Sequence, residues 1–494
     1  MLVQNGVQGD SRVQKQARSA ADAGWDVLLL GRAPGKREVA WKLGEAEVRL
    51  LPLKYRSTRA HEVRTPRLFA PLAYRFPAMG RQRAQQVRVW RTQIGEIMAR
   101  EAVAGRSRPA ATMRRLGLLP RRVAVKIAGT WIGLRAGSTK RVANRRTEMT
   151  SPLDRLTTAF WLKTMGDRAW RRLDPALWDL EIAFRGAIDA FEPDLIHAND
   201  FQMLGVGARA KLRARAKGRE VKLVWDAHEF LPGIPLWNPH PRWHPAQMGH
   251  EREYGRYADA VVTVSETLAD LLRDRHGLRE TPEVVMNAPD VDEVHEGAEP
   301  PSLREQCGID AGTPLMVYSG GGALQRGLAD MVRALPLLEG VHCAFIVGNL
   351  RSAFMTEVRA LAAELGVAER LHVLPYVEHW QVVPYLSQAD VGMIPIHHYL
   401  NHELALITKF FEYSHARLPI VVSEVKTMSA MVRRTGQGEV CRAEDPQDLA
   451  RAVMAVLDDP KTYRKAYEDG ELLDQWTWRR QAERLHAVYR DLLS

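Results

Sequence analysis

The stretch NHELALITKFFEYSHARLPIVVSE, residues 401–424, sets Lys409 and Glu412 three positions apart in an otherwise apolar run. It then passes through Ala416-Arg417-Leu418-Pro419 into Ile420-Val421-Val422, which reads as a buried strand. A helix that ends just before such a strand begins where loops and helix N-termini gather in a parallel α/β sheet. There Lys409 can reach a diphosphate, and an ionised Glu412 offers two acceptor oxygens to the paired hydroxyls of a ribose. The alternative is a surface i,i+3 ion pair worth about 0.2–0.5 kcal/mol. The flanking Phe410, Phe411 and Tyr413 argue against full exposure of this helix.

Working outward, the same alternation runs along most of the chain. LVQ near the start, a loop with Gly6 and Gly9, the helix SRVQKQARSAADAG and the strand WDVLLL form one unit. DLIHAND (194–200), VKLVWDAHE (221–229), ADAVVTVSETLADLL and PEVVMNAP (282–289) continue it, with Ser265 as a helix N-cap. A Pro/Glu/Gly stretch near 288–302 reads as a linker. A second series follows: PLMVYSGGGALQRGLADMVRAL, VHCAFIVGN, RLHVLPYV, ADVGMIPI and LPIVVSE. Strands alternating with helices imply parallel sheets, here two doubly wound α/β halves whose carboxyl edges can face each other across a cleft. Residues 1–295 and 296–494 are expected to form the two domains, with 55–180 a helical or irregular insertion in the first. The last helix, Leu472–Leu493, is expected near the junction or back on the first half.

In YSGGGALQRGL (318–328), Gly320, Gly321 and Gly322 permit close backbone approach, and Arg326 adds a fixed charge able to clamp phosphate oxygens. Taken alone, the glycines are more simply explained by a tight strand-to-helix turn; no Gly-Lys-Ser/Thr follows, so it is not a Walker loop. Asp290-Val291-Asp292 resembles a metal-binding DxD but sits in the linker, and His397-His398 has no third ligand at a suitable spacing. His197 and His228 are each open to a reading as core histidines.

Composition narrows the class. The chain of 494 residues carries 70 Lys/Arg against 59 Asp/Glu, a net charge of +11. Lys54–Thr150 alone holds 23 basic residues and four Glu, so the remainder is net acidic. Arginine-rich codon usage on solvated helices accounts for that segment as well as an anionic partner does. It contains no recognised nucleic-acid module, so no nucleic-acid partner is expected. Cys307, Cys343 and Cys441 are widely spaced, which argues against a disulfide framework and suits a reducing cytoplasm. The opening MLVQNGVQGDSRV lacks the pattern of a secretory leader, and no apolar run approaches the about 18–20 residues of a membrane span. A cytoplasmic or peripheral location is expected.

ALITKFFEYSHARLPIVVSE resembles the ALPNKxFEYxxAGLPVV block of GT-B glycosyltransferases of the family 4 type, and YSGGGALQRGL resembles their YxGxxxxxRGL loop. PDLIHAND, LVWDAHEF, DAVVTVSETLADLL, VVMNAPD, LHVLPYV with LSQADVGMIPI, and GDSRVQKQARSAADAGWDVLLLG match further blocks in the same order. The resemblance covers both halves except the insertion. It implies a GT-B fold of two Rossmann-like domains and transfer of a sugar from a nucleotide-diphosphate sugar, with retention and without metal or other cofactor. It also implies a glycan or lipid-linked acceptor in envelope or exopolysaccharide synthesis. Glu412 would hold the ribose; Lys409 and Arg326 would grip the diphosphate; Tyr376 and Val377 would meet the base. His228 would face the transferred sugar, while Gly6 and Gly9 approach the diphosphate from the other side, and Ala405 and Leu406 belong to the substrate-binding block. Leu404 stands where the family commonly has a glutamate, which leaves donor-sugar recognition without its usual carboxylate. A catalytically silent nucleotide-binding scaffold and a nucleotide-sugar epimerase-hydrolase are the alternatives. The mixture of arginines with large apolar residues in the insertion further suggests an amphipathic contact with an anionic membrane surface.

Overall fold

The computed structural model describes residues 1–54, 71–74, 77–103, 113, 116–148, 152–235, 241–291, 300–468 and 470–494. The expected domain boundary at 295/296, Asp292 of the DxD and parts of the basic insertion lie outside these residues. By contacts the chain divides into two compact units. One holds Met1–Lys54, Leu180–Pro235 and His250–Ser494, and therefore both sheets; the other holds Tyr55–Asp179 and Leu236–Gly249.

The first sheet comprises β1 (Leu28–Arg32), β2 (Val39–Leu43), β3 (Ala46–Leu51), β4 (Leu195–Asn199), β5 (Lys222–Asp226), β6 (Ala260–Thr263) and β7 (Glu283–Val284). Its strands run in the orders β1-β3-β2 and β4-β5-β6-β7. Leu2 joins the two groups by pairing in parallel with both Leu30 and Ala198. Pairing is parallel throughout except for the β2–β3 hairpin, which the sequence pattern did not announce because β2 is largely exposed and lacks an apolar face. Trp25-Asp26-Val27 precede rather than begin β1.

The second sheet contains β8 (Leu315–Ser319), β9 (His342–Ile346), β10 (Leu371–Leu374), β11 (Val391–Ile394), β12 (Ile420–Ser423) and β13 (Gly438–Cys441), all parallel, in the order β10-β9-β8-β11-β12-β13. Strand order reverses between β8 and β11, the kind of switch point at which α/β sheets bind ligands. Helices cover both faces: Leu328, Met331, Val358 and Val453 pack on one, and Phe410, Phe411, Met428 and Trp476 on the other. The strands are buried on both faces, which is why they read as continuous apolar runs. The Trp478–Leu493 helix adds Trp478, Ala482, Leu485 and Tyr489 to the core of the first sheet beside Val3, Val13 and Leu29.

The second unit, taken by itself, contains the helices Pro77–Val103, Leu119–Glu148 and Pro152–Met165. Tyr74 fixes the start of this hairpin: its N–H donates to Thr139 Oγ1 at 2.7 Å, and the Arg135 guanidinium lies 4.1 Å from its ring centroid. Basic and apolar residues are interspersed around both long helices, so the expected division into a basic and an apolar face is not found. No helix among the described residues is long and apolar enough to cross a membrane.

Candidate functional site

The Thr408–His415 helix is anchored by its apolar face. Phe410 and Phe411 stack edge-on against Trp476 at 5.6 and 5.5 Å, and the buried Tyr413 hydroxyl accepts the N–H of Ser319 at 2.9 Å. Residues three apart share a helix face, so Lys409 and Glu412 emerge together on the side this packing leaves open. Both line a cleft of about 640 Å³. They form no ion pair with each other among the described residues, so the surface-pair alternative fails. The cleft walls desolvate both groups. Burial and the neighbouring Arg326 push the Lys409 ammonium down to about 8, against the pull of Glu412. Burial likewise raises the Glu412 carboxyl, opposed by Lys409 and Lys15.

Gly320 makes this placement possible. Its φ is +143°, and a Cβ there would stand 2.1 Å from Lys409 Nζ, so glycine is required both by conformation and by space. Gly348 plays a similar part for Tyr376, whose ring Cε2 would lie 2.8 Å from an added Cβ. Gly327, with φ +72° and Pro395 O at 1.8 Å from the Cβ position, closes the turn that carries Arg326.

Of the residues expected at a site, Gly9, Gly320, Tyr376, Val377, Lys409 and Glu412 come together as lining of this one cleft. Arg326 does not line it but is close enough to act electrostatically on Lys409 and Tyr376. Gly321 is exposed, and its carbonyl accepts the Tyr318 hydroxyl at 2.9 Å. Gly322 faces Met355, and Gly6 lies beside the Arg32 carbonyl. Leu406 is buried in the core, and neither it nor Ala405 lines the cleft. Leu404 is buried too, its carbonyl accepting Ser265 Oγ at 2.5 Å. The adjacent Glu403 is turned away: its carboxylate accepts the Lys426 N–H at 2.7 Å and pairs with His398 at 2.6 Å, capping the Lys426–Thr435 helix.

His228 lies outside the lining of the cleft, in a charged cluster at the carboxyl edge of the first sheet. Asp226, fully buried, accepts Arg12 at 2.8 and 3.0 Å and Gln16 at 2.6 Å. Against burial, Arg12 and the two histidines hold its carboxyl well below the usual range. His228 has Asp200 at 3.1 Å and Asp226 at 3.5 Å. Burial opposes its charge, but the two carboxylates outweigh burial and push it up to about 9. Burial pushes Asp200 up to about 6, and this residue adopts a left-handed φ of +64° that non-glycine residues rarely hold. His197 is a packed core histidine, its Nδ1 bonded to the Tyr489 hydroxyl at 2.8 Å.

The sequence did not mark Lys15, Arg18 and Asp290 as cleft residues, nor Asp200 and Gly348 as the neighbours that hold His228 and Tyr376. In the sequence Lys15 stands on the polar face of its helix with Ser11, Gln14 and Arg18, so nothing in the local pattern marks it as a cleft residue. Among the described residues no group of three or more His, Cys, Asp or Glu is placed to hold a metal. His397 instead pairs with Asp330 at 2.8 Å.

Two doubly wound α/β sheets, parallel but for the β2–β3 hairpin, thus present Lys409 and Glu412 in one cleft with Gly9 and Gly320. Residues 160–293 match the profile described as Glycosyltransferase Family 4, and residues 301–472 that described as Glycosyl transferases group 1. The chain belongs to the GT-B glycosyltransferases of the family 4 type. It is 26% identical over 321 residues to D-inositol 3-phosphate glycosyltransferase 1 of Catenulispora acidiphila, covering 61% of this chain and 72% of that one. Two further D-inositol 3-phosphate glycosyltransferases, of Xylanimonas cellulosilytica and Mycolicibacterium gilvum, are matched over less than half of their length. Sucrose-phosphate synthase from Thermosynechococcus elongatus shares the fold with a TM-score of 0.59 at 15% identity, over 98% of this chain and 92% of that one. An E. coli trehalose-6-phosphate protein bound with UDP-2-fluoro glucose does so with a TM-score of 0.55 at 11% identity, over 99% and 98% of the two chains.

Proposed function

We propose that this glycosyltransferase takes its sugar from a nucleoside-diphosphate sugar and transfers it, with retention of anomeric configuration and without a metal ion, to a glycan or lipid-linked acceptor of the cell envelope or an exopolysaccharide. The observation that carries the donor assignment is the desolvated Lys409–Glu412 pair, unpaired with each other and aimed into one cleft. A carboxylate in that position accepts both hydroxyls of a ribose. Lys409, with Arg326 beside it, supplies fixed positive charge where the diphosphate leaving group gains negative charge, the role a divalent ion plays in other transferases. Departure of the diphosphate builds oxocarbenium character, and attack by the acceptor hydroxyl from the face being vacated gives retention. His228, held protonated by Asp200 and Asp226 at the carboxyl edge of the first sheet, would add positive charge on the side of the transferred sugar.

The second unit is the proposed membrane contact, at the cytoplasmic face. Its two long helices carry 13 Lys/Arg and three Glu. Between them lies an apolar groove of about 710 Å³ bordered by Trp90, Ile94, Ile97 and Val125. The second reading, a nucleotide-binding scaffold without turnover, rests on Leu404 and on the diversion of Glu403 into helix capping.

Calorimetry of Glu412→Ala and Lys409→Ala against UDP, GDP and ADP tests the donor site. Each substitution is expected to weaken the tightest ligand by about 1.5–3 kcal/mol. Unchanged affinity in both variants would overturn the cleft assignment. Sugar release or transfer from the matching nucleotide sugar separates enzyme from scaffold, and activity surviving EDTA is the expected sign of metal independence.

A further inference from the structure

Lys15 enters the cleft from the wall opposite Lys409. Ser11, Gln14, Lys15 and Arg18 recur every three to four residues along the Ser11–Asp22 helix, which puts them on one face, and all four line the cleft. Lys15 itself is only 7% exposed. Its ammonium donates to Asn287 Oδ1 at 3.0 Å and to the Ala288 carbonyl, and sits 4.9 Å from the centroid of the Trp478 ring. Asn287 in turn donates to Thr408 Oγ1 at 2.9 Å, one residue before Lys409. An ammonium has three N–H donors, and the third finds no hydrogen-bond partner among the described residues.

A cation that is buried with two neutral acceptors lacks the counter-charge that would offset its desolvation. Burial therefore dominates and pushes Lys15 down to about 7. Glu412 from the facing wall, Asp290 from the linker and Asp10 from the glycine loop favour its charge, while Arg12 on its own helix opposes it. None of the three carboxylates forms an ion pair with it among the described residues. The unused donor and the missing anion point the same way.

We propose that Lys15 is a third cation of the donor site, supplied by the first half of the fold, whose remaining N–H binds a phosphate oxygen of the donor's diphosphate. This rests on the donor reading given above. Lys15 and Lys409 then hold one diphosphate from two walls, and the Lys15–Asn287–Thr408 chain couples the two grips. Donor affinity acquires a proton dependence from this position. The anion favours the protonated amine, so affinity is greatest below about 7 and declines as pH rises and free Lys15 loses its proton.

The test uses the full chain with Lys15→Met and Lys15→Arg, and calorimetry with UDP, GDP, ADP and the corresponding nucleosides. For the tightest diphosphate, Lys15→Met is expected to weaken binding about tenfold or more, and Lys15→Arg to stay within about threefold of wild type. Nucleoside binding should change in neither variant. Between about pH 6 and about pH 8.5 the wild type should lose affinity relative to Lys15→Arg, whose guanidinium stays charged; this ratio cancels the ligand's own titration. Wild-type diphosphate affinity in Lys15→Met, or an equal loss for nucleoside and diphosphate, overturns the proposal and leaves Lys15 a structural tie. If Lys15→Met does not fold, Lys15→Gln replaces it in the same comparison. Should Glu412→Ala and Lys409→Ala also leave affinity untouched, the donor site itself is misassigned; if they weaken it while Lys15→Met does not, only the role of Lys15 falls.

Discussion

Replacing Gly320 with alanine should separate the backbone's part in the proposed donor site from that of the charge it accommodates. The new Cβ would lie 2.1 Å from Lys409 Nζ and 2.2 Å from Cε, distances no pair of atoms sustains. The side chain must therefore move, since the flexible lysine yields more cheaply than the strand end. Alanine also has to hold a φ of +143°, which costs about 1–3 kcal/mol of stability. Displacing the ammonium forfeits its charged hydrogen bond to the diphosphate, about 1.5–3 kcal/mol or roughly 10- to 150-fold in affinity. Urea denaturation measures the first loss and calorimetry with a nucleoside diphosphate the second. A double-mutant cycle ties them to one cause: in a Lys409→Ala background, Gly320→Ala should cost less than about twofold further in affinity, because the group it displaces is already gone. Full additivity of the two affinity losses, or wild-type affinity in Gly320→Ala, would mean that Gly320 does not act through Lys409.

The His228 imidazolium should make stability fall with rising pH. Its folded value of about 9 exceeds its ordinary 6.5, so its contribution is whole below about 6.5 and is lost as pH rises through 9. That is up to about 3 kcal/mol, shared with Asp200 and Asp226. Urea midpoints at about pH 6 and about pH 9.5 should differ in wild type and converge in His228→Ala; an unchanged slope in the variant refutes the assignment. Glu403→Ala should cost about 1 kcal/mol of stability through loss of the cap on the Lys426–Thr435 helix, with nucleotide affinity unaltered. A fall in affinity would instead make Glu403 part of the donor site. Vesicles containing phosphatidylglycerol should sediment the protein at low salt and release it at high salt, at about 1 kcal/mol per basic residue near the surface. Charge reversal at Arg121, Arg122 and Lys126 should weaken this, and equal sedimentation of variant and wild type would remove the helical hairpin as the contact.

The sequence alone determined what depends on local pattern. Continuous apolar runs such as LMVYS and IVVS are buried on both faces and so announce parallel strands. The aromatic face of KFFEY fixes the opposite face of its helix, which is why Lys409 and Glu412 could be expected to emerge together on an open face. The β2–β3 hairpin escaped because its exposed strand carries no such period. Which side chains from distant segments share a space depends instead on how the elements pack. Glu403 and Leu404 differ by one position, yet packing sends the carboxylate to a neighbouring helix N-terminus and buries the leucine. Lys15 looks in the sequence like any lysine on an amphipathic helix; the fold places it opposite Glu412 and beside Asn287. His228 becomes a held cation only because β4, β5 and the Asp200–Ala216 helix bring two carboxylates to it. Periodicity reports which face of an element is buried, whereas desolvation and charge depend on what the other elements place against that face.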